Sequence, residues 1–181
     1  MSGKTSKTVF RRSKSVDAGI DVPRVGIGYD VHAFTPGRKL ILGGVHVPYQ
    51  LGLLGHSDAD VLLHALCDAL LGAAALGDIG KHFPNTSAKY KNVSSLLLLR
   101  NVGRLLTKHN FRIVNLDATI ILQQPEVLGY SPQMIDTIAT ALALEPRQIS
   151  IKATTNEGLG FIGRGEGCAA LAIATILPSR T

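Results

Sequence analysis

The spacing of apolar positions changes several times along the chain, and each change marks a new element. Arg24–Tyr29, reading RVGIGY, is a short strand-like run, and residues 39–49, KLILGGVHVPY, read as two strands around the Gly43-Gly44 bend. From Asp58 to Asp78 the sequence is rich in Ala and Leu and predicts a helix, with His56-Ser57-Asp58 as its start signal and Gly77 as its end. A second helix is predicted over residues 94–110, where Leu98, Leu99, Val102, Leu105 and Leu106 follow the three-four spacing of one apolar face. The period then shortens to two. Val114, Leu116, Ala118, Ile120 and Leu122 alternate as the inward side of a strand. Residues 131–144 predict a third helix, with Ser131 as N-cap and Pro132 at its first position. QISIKATT (148–155) reads as a strand, and GCAALAIATIL (167–177) as a buried last strand.

Together these elements predict an α/β fold: a single-layer sheet of about four strands with helices on one face, within one domain spanning residues 24–178. Helices on one side leave sheet edges or one sheet face apolar, so the core is expected to be completed by oligomerisation. No internal repeat or linker interrupts this span.

Composition agrees with a globular chain of 181 residues that is 45% hydrophobic and 18% charged. Apolar runs are short, so neither a membrane span nor a membrane partner is expected. The two cysteines, Cys67 and Cys168, form no CxxC motif and suit a reduced compartment, hence a cytoplasmic location. The net charge of +6 suggests nucleic acid until its distribution is examined. Residues 1–24 hold six Lys/Arg against two Asp, whereas the rest holds 13 Lys/Arg against 11 Asp/Glu. The excess therefore sits in a Ser/Lys/Arg-rich extension, residues 1–23, expected to be disordered or to serve as a leader for a plastid-type organelle. No nucleic-acid-binding motif accompanies it, and no nucleic-acid partner is expected.

Candidate chemistry falls in three stretches. GIGYDVHAF (26–34) puts Asp30 and His32 two apart at the end of a strand, and His64 lies in the first helix with Asp60 and Asp68 four residues to either side. One carboxylate and two imidazoles with an open position suit a catalytic Zn²⁺, although a core histidine and a chance Asp-x-His pair give the same letters. KATTNEGLGFIGRGEG (152–167) combines Thr154, Thr155, Glu157, Arg164 and five glycines after a strand. Glycines let amides approach an anion, hydroxyls and a guanidinium bind phosphate, and Glu157 suits Mg²⁺. Glycines needed only for a tight turn give the same composition. The stretch is neither a Walker loop nor a dinucleotide fingerprint. Finally, polar residues bracket the first helix: His56 and Ser57 before it, Asp78 and Gly80 after it.

GYDVHAF, LGGVHVPY, GLLGHSDADVLLHALCDALLGAAALGDIGKHFP, NLDATII and IKATTNEGLGFIGRGEG occur in order and together resemble the 2-C-methyl-D-erythritol 2,4-cyclodiphosphate synthase family of the non-mevalonate isoprenoid pathway. The likeness covers about residues 24–178. It implies that Asp30, His32 and His64 bind Zn²⁺, one ion per subunit. His56 and Ser57 would contact substrate phosphate, and Asp78 and Gly80, with Phe83 and Asn85, would hold the sugar. Thr154, Thr155, Asn156 and Glu157 would hold the diphosphate, with Mg²⁺ or Mn²⁺ on Glu157. The loop from Leu122 to Leu128 would take cytosine. Members are homotrimers with active sites between subunits, and a central cavity near Phe161 and Arg164 can take an isoprenoid diphosphate. The implied reaction converts 4-diphosphocytidyl-2-C-methyl-D-erythritol 2-phosphate to 2-C-methyl-D-erythritol 2,4-cyclodiphosphate and releases CMP. His56 and Thr155 are the expected transition-state stabilisers.

The chain departs from the family at two points. Phe83-Pro84-Asn85-Thr86-Ser87 replaces the usual F-P-D-T-D, and Pro125-Glu126 replaces Pro-Lys. Two rival readings make different predictions. A purely structural zinc protein calls for a closed, Cys-rich, four-ligand site. Nucleic-acid binding through the leader calls for salt-sensitive affinity that disappears with residues 1–23.

Overall fold

The computed structural model describes residues 22–84, 86, 90 and 93–179. Four long strands and one short one form the main sheet: β1 (Arg24–Thr35), β4 (Gly52–Leu53), β5 (Phe111–Ile121), β6 (Ile149–Thr154) and β7 (Gly167–Pro178). Their order is β4-β1-β7-β5-β6. Only β5 and β6 run parallel, joined by a crossover that contains a helix; the other pairings are antiparallel. Of these, β4 has two residues, too few to show a period in sequence. The predicted bend at Gly43-Gly44 forms a separate hairpin of β2 (Leu40–Leu42) and β3 (Val45–Val47), whose Leu40, Leu42 and Val47 enter the core.

Helices α1 (Val61–Ala73), α3 (Ser95–Lys108) and α4 (Ser131–Leu142) cover one face, and α2 (Ile79–His82) and α5 (Gly160–Gly163) are single turns. Helix α1 is buried nearly all round, with Leu62, Leu63, Leu66, Leu70 and Leu71 inaccessible to solvent. On the other sheet face Val25, Ile27, Tyr29, Val31, Leu171 and Ile173 lie open, 37–66% exposed. The last strand is thus central and buried on one side only.

Three boundaries differ from those predicted. Helix α1 is capped by Asp60, whose carboxylate accepts Leu63 N–H at 3.1 Å, rather than by His56-Ser57-Asp58. It ends before Gly77 because Ala75 takes the left-handed conformation (φ 58°) and closes the turn, with Leu76 N–H bonding Leu71 C=O. Ser131 is not a cap: a 3-10 turn over Leu128–Tyr130 runs straight into α4, and no side chain caps it. The alternation in β5 holds from Leu116 onward, but a register shift between Ile113 and Asn115 leaves Val114 half-buried.

Candidate active site and metal centre

Strand β1 sends Asp30 and His32 to the same side, because residues two apart share a sheet face. That side meets α1. Two earlier positions on it are Gly26 and Gly28, and the helix presses directly on their backbone. A Cβ on Gly28 would lie 2.0 Å from Ala65 C=O, and one on Gly26 would lie 2.1 Å from Ala69 C=O. Glycine in the strand and alanine in the helix therefore bring α1 close enough for His64 to reach the strand's acid.

Three donor atoms converge there. His64 Nδ1 is 2.8 Å and His32 Nε2 is 3.0 Å from Asp30 Oδ2, and the two ring nitrogens are 3.3 Å apart. One ligand atom from each residue fits within a 4.8 Å span, the size of a first coordination sphere. The remaining ring nitrogens are held from outside. His32 Nδ1 donates to Leu54 C=O at 2.7 Å, and His64 Nε2 lies 2.9 Å from Ser95 Oγ and 3.2 Å from Ser57 Oγ. Two imidazoles, each turned by an outside partner, and one carboxylate form a donor set able to hold a metal ion.

Burial pushes the Asp30 carboxyl up, but hydrogen bonds from His32 and His64 and the charges of both rings outweigh it, holding Asp30 well below the usual carboxylate range. Burial lowers His32, yet its bond to Asp30 and that carboxylate's charge leave it raised overall. The expected carboxylates beside His64 serve elsewhere. Asp60, fully buried, receives Gly43 N–H and Leu63 N–H on one oxygen and Gly44 N–H on the other, clasping the β2–β3 bend to α1. Burial drives its pKa up to about 6 despite these amides. Asp68 receives Ile79 N–H at 2.7 Å and anchors α2. The acid at His64 comes from β1 instead.

A cavity of about 400 Å³ opens over the cluster, lined by His32, His56, Ser57, His64, Gly80 and Phe83 among others. Arg38 fixes the loop that carries His56 and Ser57 by donating to the carbonyls of Gly55 (3.0 Å) and Ser57. Asp78 does not line this cavity; it caps α2 through Lys81 N–H at 2.8 Å. Asn85 lies outside the described residues. Tyr90, absent from the sequence reading, closes one wall and meets Phe83 edge-on at 5.5 Å.

The other predicted residues gather elsewhere. A second cavity of about 330 Å³ is lined by residues 122–128 with Ala153, Thr154 and Thr155. Beside it, Thr155 Oγ1 donates to Glu157 Oε1 at 2.8 Å, Glu157 is left-handed (φ 50°), and Gly158 N–H reaches Gln123 at 3.3 Å. Asn156 does not face this cavity; its amide donates to Leu159 C=O at 2.8 Å. Arg164, expected to offer phosphate a fork, is paired with Glu166 at 2.6 Å, and Phe161 is partly exposed on α5. The first and second cavities share no lining residue. Their strands, β1 and β6, are three steps apart at one end of the sheet, about 14 Å at ordinary strand spacing.

Built up from these parts, the molecule is an α/β domain carrying a cluster able to hold a metal at the mouth of a cavity, with a threonine- and glycine-rich loop beyond it. The profile of the YgbB family matches residues 23–177, and the chain belongs to that family. A 2-C-methyl-D-erythritol 2,4-cyclodiphosphate synthase of Clostridium novyi is 60% identical over 84% of this chain and 98% of its own length. The bifunctional IspDF of Campylobacter jejuni aligns with TM-score 0.85 and 42% identity over 88% of this chain, which spans 43% of that larger protein. Plasmodium falciparum IspF, solved as a CDP complex, aligns with TM-score 0.77 and 33% identity over 90% of this chain and all of its own.

Proposed function

We propose that this chain is a 2-C-methyl-D-erythritol 2,4-cyclodiphosphate synthase, a metal-dependent lyase that closes a cyclic diphosphate and expels CMP. The convergence of Asp30, His32 and His64 at the mouth of a cavity lined by His56 and Ser57 carries the reading. Family membership and the CDP complex of a relative agree with it. In the reaction a 2-phosphate oxygen attacks the β-phosphorus of the same molecule's diphosphate, and CMP is the leaving group. The nucleophile is already an anion, so the task is to offset charge repulsion and hold a folded substrate; alignment of this kind is worth about 7–11 kcal/mol.

Zinc on Asp30, His32 and His64, with Mg²⁺ or Mn²⁺ on Glu157 and the diphosphate, would supply Lewis-acid neutralisation of phosphate charge. His56 and Ser57 bind phosphate from the loop strapped by Arg38, and Gly80 and Phe83 take the sugar. Thr154 and Thr155 donate to the diphosphate, Thr155 with His56 where charge develops, and the segment from Leu122 to Leu128 receives cytosine.

One copy keeps the two cavities apart, so a complete site is formed between copies. The open apolar face of β1 and β7 supports a homotrimer. An isoprenoid diphosphate in a central cavity near Phe161 would have to compete with Glu166 for Arg164. No helix among the described residues is long and apolar enough to cross a membrane. The test is CMP release from 4-diphosphocytidyl-2-C-methyl-D-erythritol 2-phosphate. Metal-dependent release by the purified chain is expected, and none under any metal would overturn the assignment.

A further inference from the structure

The metal cluster is held from behind by a buried relay that crosses from α1 to α3. Ser95, the first residue of α3, is fully buried, and its Oγ stands 2.9 Å from His64 Nε2. The same hydroxyl donates to Asp58 Oδ1 at 2.5 Å, and Ser95 N–H donates to Asp58 Oδ2 at 3.0 Å. Asp58 also receives Asp60 N–H at 3.3 Å and is placed by its own N–H on Val93 C=O at 3.1 Å. Asp58 thus faces donors on every side, which makes it the acceptor.

The short Ser95–Asp58 bond sets the order of the protons along the relay. A hydroxyl has a single proton, and that of Ser95 goes to Asp58. What Ser95 offers His64 is a lone pair, so His64 Nε2 must carry the hydrogen. That leaves Nδ1, the nitrogen facing Asp30, as the one whose lone pair is available to a metal. His32 is oriented the same way by a backbone carbonyl, whereas His64 depends on a side chain. Ser57 Oγ, 3.2 Å from His64 Nε2, accepts Ala59 N–H and lies 3.4 Å from Ser95 Oγ, which can take its proton, so Ser57 is the second and more distant partner of that ring nitrogen.

We infer that Ser95 and Asp58 are positioning residues that fix the ring orientation and tautomer of His64 and so set the affinity of the metal centre. The inference rests on the zinc reading of the cluster but needs no catalytic step. Zinc affinity is measured by chelator competition on the full-length protein without substrate. Ser95→Ala and Asp58→Asn should each bind zinc 10- to 100-fold more weakly, the usual cost of removing such a partner. Ser95→Thr, which keeps the hydroxyl, should recover most of the affinity, and Ser57→Ala should cost less than Ser95→Ala. In the zinc-loaded wild type, ¹H–¹⁵N spectra should show a slowly exchanging Nε2–H on His64, which Ser95→Ala should lose.

Zinc affinity in Ser95→Ala within twofold of wild type would reduce the relay to a helix cap and overturn it, whatever the change in melting temperature. So would a larger loss from Ser57→Ala than from Ser95→Ala. A His64 ring N–H that exchanges as fast in wild type as in Ser95→Ala would overturn it independently of affinity. Failure of CMP release in an otherwise zinc-binding wild type would count against the cyclisation reading and not against the relay.

Discussion

The two regions proposed to handle phosphate are built in opposite ways. Asp30 and His32 sit on a long strand, His64 sits inside a buried helix, and each imidazole is held by a partner outside the cluster. Around Thr154–Glu157 the groups are exposed and bond chiefly to near neighbours, Thr155 to Glu157 and Asn156 to Leu159. The first region is preassembled within one copy, because α1 packs directly on the β1 backbone and each imidazole has a fixed outside partner. The second has no comparable wall within one copy. Fixing its exposed side chains around a ligand carries an entropic cost.

The comparison breaks most visibly at His64. His64→Ala should abolish zinc binding and lower CMP release about a thousandfold or more, since a metal contributes several kcal/mol of charge stabilisation. Metal analysis and circular dichroism of the same sample check it. Full zinc occupancy in the variant would remove His64 from the cluster.

Glu157→Gln probes the exposed half. It should leave zinc content and assembly unchanged while lowering CMP release roughly a hundredfold, in line with the loss of one electrostatic stabiliser. A magnesium titration should restore activity only in part. Wild-type rates across that titration would exclude Glu157 as the second metal ligand.

Asp60 sharpens the contrast through pH. Its folded pKa of about 6 lies above the 3.8 of an ordinary aspartate, so the folded state binds the proton more tightly than the unfolded chain. Its contribution is most favourable below pH 4 and is lost as pH rises toward 6, a difference on the order of 2–3 kcal/mol. Urea unfolding of wild type and Asp60→Asn over this range should show wild type losing stability relative to the variant by that amount. A constant difference would mean that Asp60 does not titrate there.

A third contrast comes from adding a methyl group. Gly28→Ala forces a Cβ against Ala65 C=O and should cost about 1–3 kcal/mol, with weaker zinc binding as α1 shifts. Gly158→Ala meets open space in a left-handed turn (φ 75°) and should cost about 1 kcal/mol without touching zinc. Calorimetry with chelator titration separates the two. Equal zinc loss in both would deny that the halves are independent.

Much of the site was legible because its residues recur at short spacings within named motifs: D-x-H, H-S, T-T-x-E. Their partners were not. Asp60 and Asp68 looked like companions of His64 because they share its helix face, yet the hairpin and α2 claim them. Ser95 carried no signal beyond its place at the start of the second helix, and only the packing of α3 against α1 turned its hydroxyl to the Asp30–His32–His64 cluster. Arg38 carried no motif at all.

The sequence by itself determined the periods of the elements, and with them the α/β class, the apolar faces and the residue types able to hold zinc and phosphate. These follow from local geometry, two residues to a strand repeat and 3.6 to a helical turn. Only the tertiary structure decided which carboxylate meets His64, which nitrogen of each ring points inward, and that the candidate phosphate-binding groups divide between two cavities. Those depend on the approach of α1 to glycine backbone and on strand order, distances set between segments far apart in the chain.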